Sequence, residues 1–521
     1  LLNSSLTISG SVPQLKDTSF TFKPARWGIV EGVVTDEIAQ KNKEILQGVI
    51  DITKSIGVEI FEIDAMDAYF VGSGGKGDAR IHNSKAIHIP SDFHLKMNEN
   101  TFIRLQPNNW YNGVLLSVFE KENVKISGGN LYGDRFTHDY SPISDDLGIP
   151  RNTHEWPSLI VISGSLNTII ESSYITDATG DGLVLGASGH RINIHTNDID
   201  PSAKFNKNVV VRNCTITKSR RNNISITDGE DLVVEYCVIS DAGNGNNIFD
   251  NSGNKIVSSA GVSPKVGIDI EPFRGFDDNG NFVNYEIVDR VIIRGCDFIE
   301  NNVSSFINYS GSNVVFQDNK SDHSVSASFD NGTKFLNNTI IASERNRNNS
   351  GITLGSFLRD FYGVPTQYSI NSEARGNIIE GFVTAINIQG DFPTVSDNVL
   401  KDFNLGINMR TTKNVVCRNN TFESNRETYS QAFVFINTNI NNILIKDCSI
   451  KTPRRPVFTS NLNKNTDNIL AFESCTFESL QGYSLEFVET DNVTIKNSTF
   501  INTRINKTNS DNFIESNNVF N

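Results

Sequence analysis

Three carboxylates fall where a strand pattern would hold them close together. Asp269 and Glu271 take alternate positions in Val266-Gly267-Ile268-Asp269-Ile270-Glu271, and Asp181 opens Asp181-Gly182-Leu183-Val184-Leu185-Gly186. In both segments apolar residues alternate with others, the pattern of a strand with one buried face. Asn222-Asn223-Ile224-Ser225-Ile226-Thr227 reads the same way. Laid side by side, Leu183, Leu185, Ile224, Ile226, Ile268 and Ile270 point inward. Ser225, Thr227, Asp269 and Glu271 then point outward, Asp181 and Asn222 stand at the strand starts, and Arg220 and Arg221 lie beside them. One protonated and one ionised carboxyl are what cleavage of a glycosidic bond needs, separated by roughly 5–5.5 Å for retention or 6.5–9.5 Å for inversion. Asp181 is expected two rungs from Asp269, a rise of about 9.6 Å. That pairing suits inversion, and Asp269 with Glu271 is the closer pair.

A second chemistry uses the cations. Arg220, Arg221 or His154 could remove the proton next to a uronate carboxyl, with a calcium ion on Asp269 and Glu271 favouring that route. Asp134, Arg135, His154, Glu155 and Trp156 share one polar stretch and, with Arg220 and Arg221 to orient the sugar, are candidate substrate-binding residues. Trp110, Tyr111 and Trp156 have ring faces that stack on sugars. Each has a plainer reading. Asp181 in Thr-Gly-Asp-Gly is also a turn former, Asp134-Arg135 an ion pair, and His154 a structural loop residue. Arg220 and Arg221 are natural partners of the carboxylates, and Asp269 and Glu271 could be solvated surface charges. No phosphate loop, nucleophile elbow or zinc triad is present, so no metal site and no cofactor beyond the calcium option is expected.

The elements that position these residues follow from a repeat. An apolar strand followed by a turn recurs as NVVVRNC, DLVVEYC, RVIIRGC, NVVFQDN, NVVCRNN, NILIKDC and NVTIKNS. The fixed turn position is Gly129, Ser173, Cys214, Cys237, Cys296, Asn319, Asn338, Asn377, Asn398, Asn420, Cys448, Cys475, Ser498 and Asn518. Many steps are 19–23 residues, and from Asn377 onward they run from 20 to 28. A period of that length made of strands means a solenoid whose coils stack like on like. Asparagine at a repeated turn can bond to its copy in the next coil. Five of the six cysteines fall at the same position, so they are expected to be buried and unpaired rather than bridged.

The period also shows where the chain departs from it. The steps 129→173, 173→214 and 237→296 take 44, 41 and 59 residues. Their surplus lies at 134–157, 187–207, 242–265 and 274–286. Long loops on a regular scaffold carry function, and these flank the carboxylate-bearing strands.

Composition agrees with a large stacked core: 521 residues, 37% hydrophobic, 38 Gly and 14 Pro, with formal net charge −14. That charge argues against nucleic acid and anionic membrane as partners, while a basic cleft could still take an anionic substrate. There is no apolar run of membrane-spanning length and no signal peptide. The chain begins at Leu1 rather than Met, so removal of a leader, an upstream domain or a tag is expected. Residues 36–56 carry a helical apolar stripe opened by Thr35-Asp36-Glu37, and a helix there would cap the open end of the solenoid. The expected organisation is an N-terminal segment over 1–100, with the capping helix and first strands, and a β-helix over 101–521.

The order helix, AIHIPSDFHLKMNENTFIRLQP, VKISGGNLYGDR, with THEW, TGDG, SRRN and GIDIEP further on, resembles the right-handed parallel β-helix proteins of the pectate-lyase and polygalacturonase superfamily, phage tailspike depolymerases among them. The resemblance implies an all-β fold: a single-stranded right-handed parallel β-helix with a helical N-terminal cap. It also implies a polysaccharide partner, an extracellular place as a secreted enzyme or virion tail component, and hydrolysis, elimination or glycan binding without catalysis. A tailspike would be a homotrimer, and Phe433, Phe435 and Phe487 are expected to face outward on the later coils and cover a partner chain.

Overall fold

A computed structural model describes residues 18–72, 85–145, 147–355, 369–427, 429–436, 440–462 and 469–521. These form two compact units: those up to 289 together with 301–303, and those of 290–300 together with 304–521. Each is a stack of short parallel strands in three sheets. Among the described residues the α-helices are α1 (Pro24–Trp27) and α2 (Asp36–Ser55), and no helix is long and apolar enough to cross a membrane.

In the first unit, helix α2 lies where the apolar stripe placed it, with Thr35 at its N-cap position. Its polar side chains satisfy the first coil. Gln47 Nε2 donates to the His88 carbonyl at 3.1 Å, and His88 N–H donates to Gln47 Oε1 at 2.7 Å. Asn42 treats Val30 in the same two-way manner and also reaches the Tyr69 carbonyl. A side-chain amide thus stands in for the strand an edge would otherwise lack.

The sheet that matters for the site contains β1 (Ser158–Ser163), β2 (Asp181–Gly186), β3 (Ile224–Ile226) and β4 (Val266–Ile270). Leu183 pairs with Ile224, and Ile224 with Ile268. This is the register the alternation predicted, and the six inward residues are essentially unexposed.

In the second unit the turn position forms a continuous ladder. The N–H of Cys296 donates to Asn319 Oδ1, that of Asn319 to Asn338, Asn338 to Asn377, Asn377 to Asn398, and Asn398 to Asn420, all at 2.9–3.0 Å. Each amide nitrogen also caps a carbonyl of the preceding strand, as Asn398 Nδ2 does for Ala374 at 2.9 Å. The residue just before the ladder adopts positive φ, for example Asn337 at 54°, Gly376 at 70° and Asp397 at 57°. Asn, Asp and Gly tolerate that left-handed corner best, which explains the residue types preceding the ladder. All six cysteines are free and buried.

Phenylalanines fill the interior of this unit, with Phe306 and Phe316 stacked at 5.0 Å and Phe422 against Phe433 at 4.8 Å. One expectation is corrected here. Phe433, Phe435 and Phe487 point inward and are fully buried, so they offer no surface to a partner chain. The strand Gln431–Ile436 is apolar on both faces, with Ala432 and Val434 buried as well. Alternation shows that Phe433 and Phe435 share a face but not which face.

Two outcomes follow. Asn398→Ala removes partners from the Asn377 N–H and the Ala374 carbonyl, groups that cost about 1–3 kcal/mol each when left buried and unpaired. Urea denaturation should show a loss of that order or more, whereas Asn441→Ala at an exposed site stays within about 0.5 kcal/mol. A thiol-alkylating reagent should leave the native protein unmodified and add six labels in denaturant, as read by intact mass; a native disulfide would reduce that number.

Candidate active site

Strands β1, β2, β3 and β4 form a floor in the first unit, and the four insertions flank their ends. Each insertion carries antiparallel pairing of its own: Ser144 with Pro150, Ser188 with Lys204, Ile248–Phe249 with Lys255–Ile256, and Arg274–Phe276 with Phe282–Asn284. Three of them turn on one device. Asp145, Asp250 and Asp277 each accept, through Oδ1, the N–H groups two and four residues on at 2.7–3.0 Å. The residue three positions on is Gly148, Gly253 or Gly280, each at φ between 75° and 82°. A D-x-x-G spacing is therefore a turn signal that the repeat analysis passed over.

The insertions join in pairs. Arg135 donates to the carbonyls of Ser259, Lys218 and Asn244. Arg220 donates to those of Ser258, Ala260, Thr153 and His154 at 2.7–3.1 Å. These two buried guanidiniums bind 134–157 to 242–265. Burial lowers the pKa of both, Arg135 to about 10. At the other ends of the strands, His190 stacks on Phe273 at 4.7 Å, and Ile192 N–H bonds the Tyr285 carbonyl. Arg191 forks onto Asp228 at 2.8–2.9 Å and reaches Glu230 and the Ile287 carbonyl. These contacts bind 187–207 to the segment 273–287.

Asp134 and His154 belong to a buried chain. Asp134 Oδ2 faces His138 Nδ1 at 2.7 Å, His138 Nε2 faces His154 Nδ1 at 2.9 Å, and His154 Nε2 faces the Ser141 carbonyl at 3.0 Å. Because the Ser141 carbonyl accepts from Nε2, a neutral His154 ring accepts at Nδ1 from His138. Desolvation, with His138 alongside, pushes the His154 pKa down to about 4. His138, absent from the sequence-based set, shows only an i, i+4 relation to Asp134.

The residues that converge on the open side gather around Arg221. Its Nη1 donates to both Asp181 oxygens at 3.2 and 2.9 Å and to Ser225 Oγ at 3.4 Å, and its guanidinium lies 5.5 Å from the Trp156 ring centre. Burial would lower its pKa, but Asp181, Asp269, Glu155 and Glu271 together raise it. Asp181 is fully buried and also accepts the Asn222 N–H at 3.1 Å. Asn222 links the two aspartates: its Nδ2 donates to Asp269 Oδ2 at 3.0 Å, and its Oδ1 accepts from Val266 N–H.

Asp269 extends the outward file Val184–Ser225–Asp269 yet is only 4% exposed. The outer face of this sheet is covered, so an outward position is not a solvated one. Desolvation first, then the charge of Glu271, raises the Asp269 pKa to about 7. Glu271, with a side chain 43% exposed, faces Arg274 at 3.4 Å, and Trp156 is 36% exposed.

Thr179-Gly180-Asp181-Gly182 is needed sterically: a Cβ on Gly180 would lie 2.3 Å from the Pro157 carbonyl oxygen, and one on Gly182 would lie 2.7 Å from that of Asn223. The structure thus brings together Asp181, Arg221, Asp269, Glu271, Glu155 and Trp156, while Asp134, Arg135, His154 and Arg220 hold the walls from within. Among the described residues no three His, Cys, Asp or Glu side chains converge as a metal site requires. Glu271 faces Arg274.

A family model described as a right handed beta helix region matches residues 157–272, which contain all four floor strands. Two Bacillus subtilis (strain 168) proteins are similar in sequence. YclG, uncharacterized, is 29% identical over 82% of this chain and 71% of its own. YorA, uncharacterized and derived from the SPbeta prophage, is 30% identical over 61% of this chain and 48% of its own. Among solved structures, the tailspike of E. coli bacteriophage HK620, with one aspartate and one glutamate replaced by alanine and a pentasaccharide bound, matches 92% of this chain and 77% of its own at TM-score 0.55 and 14% identity. A variant with only the aspartate changed, to asparagine, matches at TM-score 0.52 and 14% identity over 90% of this chain and 75% of its own. The fold of this chain is the right-handed parallel β-helix that it shares with phage tailspike proteins.

Proposed function

We propose that the protein is a polysaccharide depolymerase that hydrolyses glycosidic bonds in a bacterial surface or other extracellular glycan, as a tail component or a secreted enzyme. The observation that carries the reading is Asp269. Its carboxyl is held near neutrality by burial and by Glu271, on a floor walled by all four insertions. A carboxyl protonated near pH 7 beside an ionised one is the division of labour that glycoside hydrolysis needs.

Asp269 donates the proton to the leaving oxygen, and Glu271, more exposed, acts on water or on the sugar carbon. Positions i and i+2 on a strand are about 6.6 Å apart along the backbone, between the two characteristic carboxyl spacings. Asp181 and Arg221 form the fixed charge pair behind them, and Trp156 offers a ring face to a sugar. The related tailspike, solved with a pentasaccharide and with an aspartate and a glutamate altered, lends support by analogy. Elimination has less support, because His154 and Arg220, two of its candidate bases, are buried in the walls.

The test is incubation of the full chain with a panel of bacterial capsular and lipopolysaccharide glycans. New reducing ends without an ultraviolet-absorbing product support hydrolysis. An unsaturated product means elimination, and binding without cleavage means an adhesive solenoid.

On a cleaved substrate, Asp269→Asn should lower turnover by about 10²–10⁴-fold while glycan binding persists. The wild-type rate should fall as pH rises above about 7, where Asp269 loses its proton. Glu271→Gln removes a charge that raises the Asp269 pKa, so whatever activity remains should have its basic limb displaced to lower pH.

Stability has its own sign. The ordinary Asp value is 3.8 and the folded value about 7. Between them the folded protein holds a proton that the unfolded chain has released. Stability therefore declines as pH rises through that window and levels off above it. Urea unfolding at a series of pH values should show that slope in the wild type and a flatter one in Asp269→Asn.

A further inference from the structure

The second unit contains a recess built from three successive turns. Tyr429, Ser430 and Gln431 lead into the strand Gln431–Ile436, Arg454 and Arg455 lead into Val457–Leu462, and Tyr483 leads into Leu485–Thr490. Phe433 pairs with Val457, and Phe458 with Glu486. That register puts Gln431, Arg455 and Tyr483 in one file across three rungs. The recess has a volume of about 60 Å³, room for a few waters or one carboxylate.

The lining is polar and basic: two guanidiniums, two phenols, an amide and a hydroxyl, with no carboxylate among the lining residues. Arg454 Nη2 donates to Tyr483 Oη at 3.1 Å and lies over that ring at 5.1 Å. Arg455 Nε is 3.0 Å from Glu486 Oε2 at the edge of the recess. Tyr429 Oη donates to Gln431 Oε1 at 3.2 Å. Ser430 is fully buried, and its Oγ has no hydrogen-bond partner among the described residues. A sealed hydroxyl with nothing to bond is stable only at a cost, unless a group entering the recess meets it.

We propose that this recess is a subsite for an acidic sugar. The carboxylate of one uronate-type residue enters it, accepts hydrogen bonds from the Arg454 guanidinium and Ser430 Oγ, and leaves the sugar ring against Tyr429 and Tyr483. A guanidinium fork matches a planar carboxylate at two points, and phenol faces pack on the C–H faces of sugars. The net charge of −14 repels a polyanion at long range, so a local arginine site is what allows an acidic glycan to dock. The assignment rests on the proposed function only in naming a glycan as the carrier of the carboxylate.

The test is calorimetric titration of the full chain with a glucuronate-containing disaccharide, its neutral glucose counterpart and inorganic phosphate. The uronate should bind at least about tenfold more tightly than the neutral sugar. Arg454→Gln should lower uronate affinity about tenfold or more, Ser430→Ala by less, and Asn441→Ala, at an exposed site, not at all. Thermal melting of each variant checks that it is folded, and if Arg454→Gln does not fold, Arg454→Lys, which keeps the charge but loses the fork, takes its place. Equal affinity for the neutral sugar, or unchanged affinity in the folded Arg454 variant, overturns the proposal. Phosphate binding as tightly as the uronate overturns the sugar assignment. Absence of glycan cleavage alongside intact, Arg454-dependent uronate binding sinks the hydrolase reading and supports this one.

Discussion

The site depends on register. A parallel rung can stack on its neighbour in only one way that keeps Leu183, Ile224 and Ile268 inside, because a slip of one residue would turn that file outward and bury its polar alternates. Once the inward file is fixed, the outward file is fixed too, and Asp269 lands beside Ser225 and Val184. The carboxylate is placed by its hydrophobic neighbours on the same strand, Ile268 and Ile270. The same constraint operates in the second unit, where the corner asparagines tie each coil to the next through both backbone and side chain.

Register brings acids together, and something must then make their burial tolerable. Asp181 is sealed and Asp269 nearly so, and isolated buried carboxylates of like sign are costly. Arg221 answers Asp181 directly, while Asn222 supplies neutral donors to both aspartates. The compensation is uneven. Asp181 receives a guanidinium and a backbone N–H, whereas Asp269 receives an amide and faces the charge of Glu271. Two aspartates two coils apart therefore sit in different electrostatic surroundings, and Asp269 is driven toward its protonated form. Pulling acids apart in this way is how one scaffold obtains an acid and a base from the same residue type.

The strand pattern, the ladder, helix α2 and the place of the insertions were legible in the sequence because each is a local periodicity or a break in one. The register of β2, β3 and β4 was legible for the same reason: three segments alternate in phase. What sequence hid was depth. Alternation tells which residues leave the interior of the solenoid but not how deeply they lie, so it left Asp269 open between a walled carboxylate and a solvated surface charge, and the structure buries it. It also failed where both faces are apolar, as with Phe433 and Phe435. The chain Asp134–His138–His154 and the pair Arg191–Asp228 were hidden because their partners are separated by loops whose path no periodicity dictates. Asn222 was visible as a position but not as a bridge, since its role needs two neighbouring rungs at once.

The two sealed arginines show why the walls can be built from irregular chain. A loop that leaves the sheet gives up the partners of its carbonyl groups, and those groups must be satisfied elsewhere. Arg135 serves three such carbonyls and Arg220 four, drawn from both insertions of that wall and from the turn at Lys218. A guanidinium suits this task because it offers five donors in a fixed plane. The cost is a buried cation, visible in the lowered pKa of each, offset by the carbonyl dipoles converging on it. Because these bonds fix Thr153 and His154, they also fix the chain that carries Glu155 and Trp156. Arg220 thus positions the Trp156 ring against its neighbour Arg221: one arginine holds the wall from behind while the next meets the acids in front, and a strand start holding both in sequence ties the geometry of the opening to the register of the floor.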